Sequence, residues 1–234
     1  MSDLLCLDDV TAGYGATMVL RNVSLSVGPG EVVALLGRNG VGKTTLLRTA
    51  AGFVQPRNGG VLLDGKPLAG MAPYRIARRA VCYVAQEQAL FADLTVGENL
   101  RLGVPQDRLF RERLPLIEPH FPVLLRRLGQ KAGTLSGGEQ KMLLISRAII
   151  ARPRLMLVDE ISEGLQPSVV DRLAGVLAAE RQMHGTAMLL VEQNVAFALT
   201  VADRFAVLIS GEIVERGGTR DPDAAARIER HMTV

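Results

Sequence analysis

Tryptophan is absent from this chain, and aromatic residues of all kinds amount to 4% of it. With so few stacking platforms and a formal net charge of only +3, it offers no basic, aromatic surface of the kind that grips single-stranded nucleic acid, and no nucleic-acid partner is expected. Cysteine is scarce as well. Cys6 and Cys82 lie far apart without CxxC spacing, which suits reduced thiols in a cytosolic protein better than a disulfide framework. His120, His184 and His231 are equally scattered and form no metal-ligand pair. Long apolar runs are also missing. The best candidate, Gly185 to Ala202, carries Glu192, Gln193 and Asn194 at its middle and reads as a strand followed by a helix start. Met1 to Val10 is acidic and lacks the basic and apolar regions of a signal peptide, so a cytoplasmic location is expected.

What is present is apolar mass and glycine. At 234 residues with 48% hydrophobic residues, the chain can bury a proper core, and its length fits one domain with an inserted subdomain. Residues 3 to 36 read as several short strands, separated by turns at Gly13 to Gly15 and at Gly28, Pro29 and Gly30; they suggest an antiparallel patch. The pair Asp64-Gly65 predicts a hairpin after the strand Val61 to Leu63. From about residue 93 to 151 strand signals vanish, and Pro105, Pro115, Pro119 and Pro122 punctuate short helices. Strands return at Leu155 to Val158, Ala187 to Val191, Phe205 to Ile209 and Glu212 to Glu215 with helices between them, the alternation of a parallel α/β sheet.

Three motifs carry the chemistry. Gly37, Arg38, Asn39, Gly40, Val41, Gly42, Lys43 and Thr44 form a GxxxxGK[ST] phosphate loop, set between the apolar run Val32 to Leu36 and a predicted helix from Thr44 to Ala51. The glycines allow successive backbone N–H groups to face phosphate oxygens, and the helix start adds about half a positive charge. Lys43 would reach the β and γ phosphates of a nucleoside triphosphate, and the Thr44 hydroxyl would ligate Mg²⁺. The second motif is the run Leu155 to Val158 followed by Asp159 and Glu160, two carboxylates at the carboxyl end of a buried strand, where open α/β sheets place ligands. Asp159 would hold Mg²⁺ and Glu160 would orient the attacking water. The third is Leu135, Ser136, Gly137, Gly138, Glu139 and Gln140 before an amphipathic helix. Ser136 and Glu139 make a capping box, and the adjoining glycines leave bare N–H groups able to approach a phosphate.

The LSGGEQ string, about 90 residues after a phosphate loop and about 20 before an acidic strand end, resembles the signature of ATP-binding cassette (ABC) ATPases. The resemblance spans nearly the whole chain. It implies a P-loop NTPase (RecA-like) core with an antiparallel β subdomain, about residues 1–92 and 152–234, and an inserted α-helical subdomain carrying the signature, about residues 93–151. It further implies that ATP and Mg²⁺ bind at Gly37 to Thr45 with Asp159. Two such domains would pair head to tail, so that Ser136, Gly137 and Gly138 of one close over ATP held by the other. Tyr14 matches the family's adenine-stacking aromatic, and Gln86 the glutamine that touches Mg²⁺ and senses a membrane partner.

Three positions depart from the common pattern: Ile161 stands for Pro, Gln166 for Asp, and Gln193 for the histidine that contacts the γ phosphate. An amide still hydrogen-bonds phosphate but never becomes cationic, so full catalytic competence at Gln193 is in question. The runs LVEQN (190–194), SEGLQP (162–167) and FADLTVGENL (91–100) resemble the second ATPase of branched-chain amino acid and urea importers. That branch implies a heterodimer with a second ABC ATPase, a homodimer being the alternative. It also implies two transmembrane permease subunits, an indirectly coupled solute-binding protein, and a peripheral position on the inner face of the cell membrane. A soluble ABC ATPase of the iron-sulfur assembly type and a nucleotide-gated regulatory module are the competing readings.

Overall fold

The computed structural model describes residues 3–86 and 90–232, so the first two residues of the Met1 to Val10 segment lie outside the described residues. Residues 5–27 form two long antiparallel strands where the sequence reads as several short ones. They are β1 (Leu5–Tyr14) and β2 (Thr17–Val27), joined at Gly15-Ala16. Register shifts between Leu7 and Gly13 keep β1 paired while its local burial pattern loses strict alternation, which explains the fragmented reading. After β3 (Val32–Leu36) and α1 (Lys43–Ala50) come β4 (Asn58–Leu63) and β5 (Lys66–Pro67), the expected Asp64-Gly65 hairpin. Both turn residues have positive φ, as a two-residue turn between twisted strands requires. Strands β2, β1, β4 and β5 form one four-stranded sheet.

Next follow α2 (Pro73–Ala77), β6 (Val81–Val84) and the helical stretch of α3 (Val96–Arg101), α4 (Asp107–Arg113), α5 (Pro122–Leu125) and α6 (Gly137–Ala151). Pro122 opens α5 and Pro115 sits in a 3-10 turn at Leu114–Ile117, so the prolines start short helices as well as separating them. The chain closes with β7 (Leu155–Asp159), α7 (Pro167–His184), β8 (Ala187–Glu192), α8 (Val195–Val201), β9 (Arg204–Ile209), β10 (Glu212–Gly218) and α9 (Ala224–Met232). The second sheet has the order β10-β9-β3-β8-β7-β6. Every neighbouring pair from β9 to β6 is parallel, and only the edge pair β9–β10 is antiparallel.

β3, β7 and β8 are buried at every position, as continuous aliphatic runs in a sheet covered on both faces should be. Their side chains alternate between two cores. Val32, Ala34, Met156, Val158, Met188 and Leu190 pack with α6, α7, α8 and the helical stretch. Val33, Leu35, Leu155, Leu157, Leu189 and Val191 pack toward α1 and the four-stranded sheet. The first core runs without a break from Phe121 and Ile117, both fully buried, to the face of the large sheet, so the helical stretch has no separate core.

β9 and β10 meet at Ser210-Gly211, both at positive φ. The Gly211 carbonyl accepts from the Arg21 backbone N–H, tying the two sheets together beside Val19. A Cβ on Gly211 would stand 1.9 Å from the Val19 carbonyl oxygen. Gly211→Ala is therefore expected to cost about 2 kcal/mol or more, read as a lower urea midpoint at unchanged m. A midpoint equal to that of the parent chain would show that the junction yields freely.

Candidate functional site

The candidate site lies along one rim of the large sheet, because β3, β8, β7 and β6 are adjacent and parallel and so end on the same side. β3 ends at Leu36 and feeds the phosphate loop. β8 ends at Glu192 beside Leu36 in register, β7 ends at Asp159 beside Val191, and β6 leads to Gln86. Residues as remote in the chain as Gly37 and Glu192 are thus brought together by four strand ends.

The phosphate loop turns into α1 at Gly42, whose φ of 113° only glycine adopts without strain, and no side chain caps the helix start. Free first-turn amides therefore face a cavity of about 440 Å³. Asn39, Gly40 and Gly42 to Thr45 line one wall; Gln86 and Glu160 line the other. Lys43 is 3% exposed. Its ammonium donates to the carbonyls of Gly37 (2.7 Å) and Arg38 (2.9 Å) and pairs with Glu160 Oε1 at 2.8 Å. The Thr44 hydroxyl donates to Asp159 Oδ1 at 3.1 Å, and the Tyr83 hydroxyl donates to Asp159 Oδ2 at 2.9 Å. Burial pushes the Asp159 carboxyl above the usual carboxylate range, an effect these two donors oppose.

Glu160 is nearly buried and holds an unusual backbone conformation for a side-chain-bearing residue, with φ at 45°. The strain, on the order of 1 kcal/mol, is held by its N–H donating to the Val191 carbonyl at 2.9 Å and by the ion pair with Lys43. Its other oxygen accepts from Gln86 Nε2 at 2.8 Å, and Gln86 also donates to Glu163. Gln86 is therefore part of the carboxylate cluster, as well as a wall of the cavity.

Not every expected residue gathers here. Tyr14 is 46% exposed at the tip of the β1–β2 hairpin, with its hydroxyl near the Arg48 guanidinium on α1. Gln193 is exposed and lines an adjoining cavity of about 370 Å³ that shares Glu160 with the first. Ser136, Gly137 and Gly138 line neither cavity. They start α6, where Ser136 and Glu139 form the expected capping box; Ser136 and Gly137 are exposed, and Gly138 is half-buried.

Other residues join the site that sequence reading passes over. Lys141, on the first turns of α6, donates to the carbonyls of Gln86 (3.2 Å) and Glu160 (3.5 Å); burial lowers its pKa, while Glu163 and Glu192 oppose that. Tyr83 looks like an ordinary strand aromatic, and nothing in its local sequence marks its bond to Asp159. Glu192 did carry a signal, an acid at the end of an apolar strand, the same one that marks Asp159. Among the described residues no cluster of three histidine, cysteine or acidic side chains forms a closed metal cage, and no helix is long and apolar enough to cross a membrane.

The chain is similar to known proteins over most of its length. The family model described as ABC transporter matches residues 20–163. A high-affinity branched-chain amino acid transport ATP-binding protein, BraG of Pseudomonas aeruginosa, is 39% identical over 214 residues, covering 90% of this chain and 91% of the relative. A relative named as a 2-aminoethylphosphonate import ATP-binding protein, PhnT of Salmonella typhimurium, is 34% identical over 92% of the chain, which spans only 59% of that longer protein. Among solved structures, a dimeric post-hydrolysis ATP-binding cassette bound to ADP and Pi superposes with a TM-score of 0.82 at 25% identity, over 93% of this chain and 99% of that one. The phosphate loop, the acidic strand end and the signature helix, in this fold, with the family model matching residues 20–163 and with BraG 39% identical over 91% of its length, establish that the chain belongs to the ABC transporter family as an ATP-binding cassette ATPase.

Proposed function

We propose that this ATPase powers import of a small solute, a branched-chain amino acid or a related compound, by pulling on membrane-embedded permease subunits from the cytoplasmic side. The hydrolytic part of the reading rests above all on the buried Lys43–Glu160 pair at the edge of a cradle of free amides. The choice of cargo rests on likeness to BraG, and the PhnT match shows how far cargo varies among relatives of similar identity. The chain divides functionally into a nucleotide-binding core with its β subdomain, about residues 1–92 and 152–234, and a helical signature-bearing subdomain, about residues 93–151.

A triphosphate in the cradle competes with Glu160 for the Lys43 ammonium. The first-turn amides and Lys43 take the phosphate charge, and Glu160 is released from its ion pair to accept a hydrogen bond from water. Glu160 then orients that water toward the terminal phosphorus, while Lys43 and the amides stabilise charge on the phosphate oxygens. Tyr14, at the hairpin tip, offers its ring to the adenine. The donor set fits Mg²⁺, being hard oxygens few in number: the Thr44 hydroxyl and Gln86 amide line one cavity, and the Asp159 carboxylate stands directly behind Thr44, accepting from its hydroxyl. Magnesium bound there supplies positive charge to the phosphate oxygens.

The signature of Ser136, Gly137 and Gly138, exposed at its first two residues, lines neither cavity of its own chain, which supports a second ATPase subunit closing over the nucleotide. A different ATPase is the partner favoured here, because Gln193 lacks a titratable ring and a second subunit retaining a histidine would supply it. The permease would engage near Gln86. There an apolar cleft of about 290 Å³, lined by Phe53, Tyr74, Ile76 and Tyr83, lies beside β6, and Tyr83 reaches from that cleft to Asp159. Movement of the permease would thus be felt at the carboxylate cluster, and a solute-binding protein would act only through the permease.

Glu160→Gln is expected to leave ATP binding within about threefold while lowering the rate of phosphate release about a hundredfold or more. Near-normal release would take Glu160 out of its role. Purified by itself, the chain should hydrolyse slowly, and addition of the second ATPase should raise the steady-state rate about tenfold; equal rates with and without it would indicate a self-sufficient homodimer. Co-purification from detergent-solubilised membranes with two polytopic subunits supports transport, and recovery only in a soluble complex would overturn it.

A further inference from the structure

Glu192 is the last residue of β8, paired in register with Leu36 at the mouth of the phosphate loop, and only 1% exposed. Burial of a carboxylate on this scale is costly unless its oxygens are satisfied. Here they are. Oε1 accepts from the Ser162 backbone N–H at 3.0 Å, Oε2 accepts from the Ser162 hydroxyl at 2.7 Å, and the Asn194 backbone N–H donates to the same carboxylate. Ser162 is itself 5% exposed, so water has little access to the contact.

The two segments joined in this way are those flanking the reacting groups. Ser162 stands two residues after Glu160 in the turn 161–164, and Asn194 immediately follows Gln193 and caps α8 by accepting from the Phe197 N–H. The Glu160 backbone is anchored on its other side by its N–H bond to Val191, the residue before Glu192. A strained φ at Glu160 is therefore clamped from both directions by the end of one strand. The cavity beside it is lined by Glu160, Ser162, Glu192 and Gln193 together.

We propose that Glu192 is a positioning residue for ATP hydrolysis: its carboxylate holds the turn after Glu160 in fixed register with the segment carrying Gln193, so that the water oriented by Glu160 and the Gln193 amide meet the same phosphate. Glu192 acts through Ser162 and Asn194. An aspartate, one methylene shorter, would not span to both Ser162 donors at these distances. The inference rests on the reading that Glu160 orients the attacking water.

Steady-state phosphate release by the purified full chain tests it, with kcat expressed per folded molecule and thermal midpoints measured alongside. Glu192→Ala should lower kcat about tenfold while KM for ATP stays within about threefold, because the phosphate cradle itself is intact. Ser162→Ala, which removes one hydroxyl, should lower kcat about threefold, and the double variant should be no slower than Glu192→Ala alone, since both changes break one linkage. Glu192→Gln keeps the length and one acceptor and should recover at least about a third of the parent kcat. A kcat per folded molecule unchanged in Glu192→Ala, or strictly multiplicative losses in the double variant, overturns the proposal. Should Glu192→Ala not fold, Ser162→Ala decides in its place, and a kcat equal to that of the parent chain overturns the proposal. Parallel assay of Glu160→Gln separates the two failures: if that variant still hydrolyses, the underlying reading falls; if it does not and the Glu192 variants are unaffected, only this inference falls.

Discussion

A lysine ammonium and a glutamate carboxylate, each almost sealed from water, face one another at 2.8 Å between the phosphate loop and the end of β7. Removing either partner of such a pair leaves an uncompensated buried charge, which typically costs about 3–5 kcal/mol. The arrangement around it follows from that constraint. Lys43 is further held by two carbonyls of its own loop, Glu160 by Gln86, and neighbouring Asp159 by Thr44 and Tyr83. Charge that is expensive to leave unpaired is also charge that an incoming phosphate can redirect, which makes the pair suited to a site that binds and cleaves a polyanion.

Such a cluster needs a rigid support, and the large sheet supplies it. Four parallel strands, three of them buried at every position, end on one rim, so loops of very different sequence position are held at spacings fixed by backbone hydrogen bonds. Glu160 can keep a positive φ because its N–H is tied to β8 and its side chain to α1. The helical stretch has no such freedom to stand apart, since its core continues into the face of the sheet, and Lys141 joins the start of α6 directly to the carbonyls of Gln86 and Glu160. The exposed signature at the other end of that first turn is thereby connected to the carboxylate cluster through one helix.

Much of this was legible in the residues. The phosphate loop, the acidic strand end, the parallel core and the Asp64-Gly65 hairpin were each marked by patterns that act over a few positions: glycine where the backbone curls, aliphatic runs where both faces are covered, a positive-φ pair where strands turn back. β1 was harder to see because its pairing passes through irregular register, so no strict alternation survives in the sequence. Tyr83 was invisible because its importance lies in a hydroxyl meeting Asp159, 76 positions away.

Local sequence therefore determined which segment forms the glycine-rich loop before α1, which strands are buried and where the chain reverses, since those depend on backbone preference and hydrophobic periodicity along a short stretch. Only the tertiary structure decided which charges share a cavity. It pairs Lys43 with Glu160, gives Gln86 to the carboxylates, joins Glu192 to Ser162, and leaves Ser136 outside its own chain's cradle. Those relations depend on strand order in the sheet, and strand order arises from packing between segments that are remote along the chain.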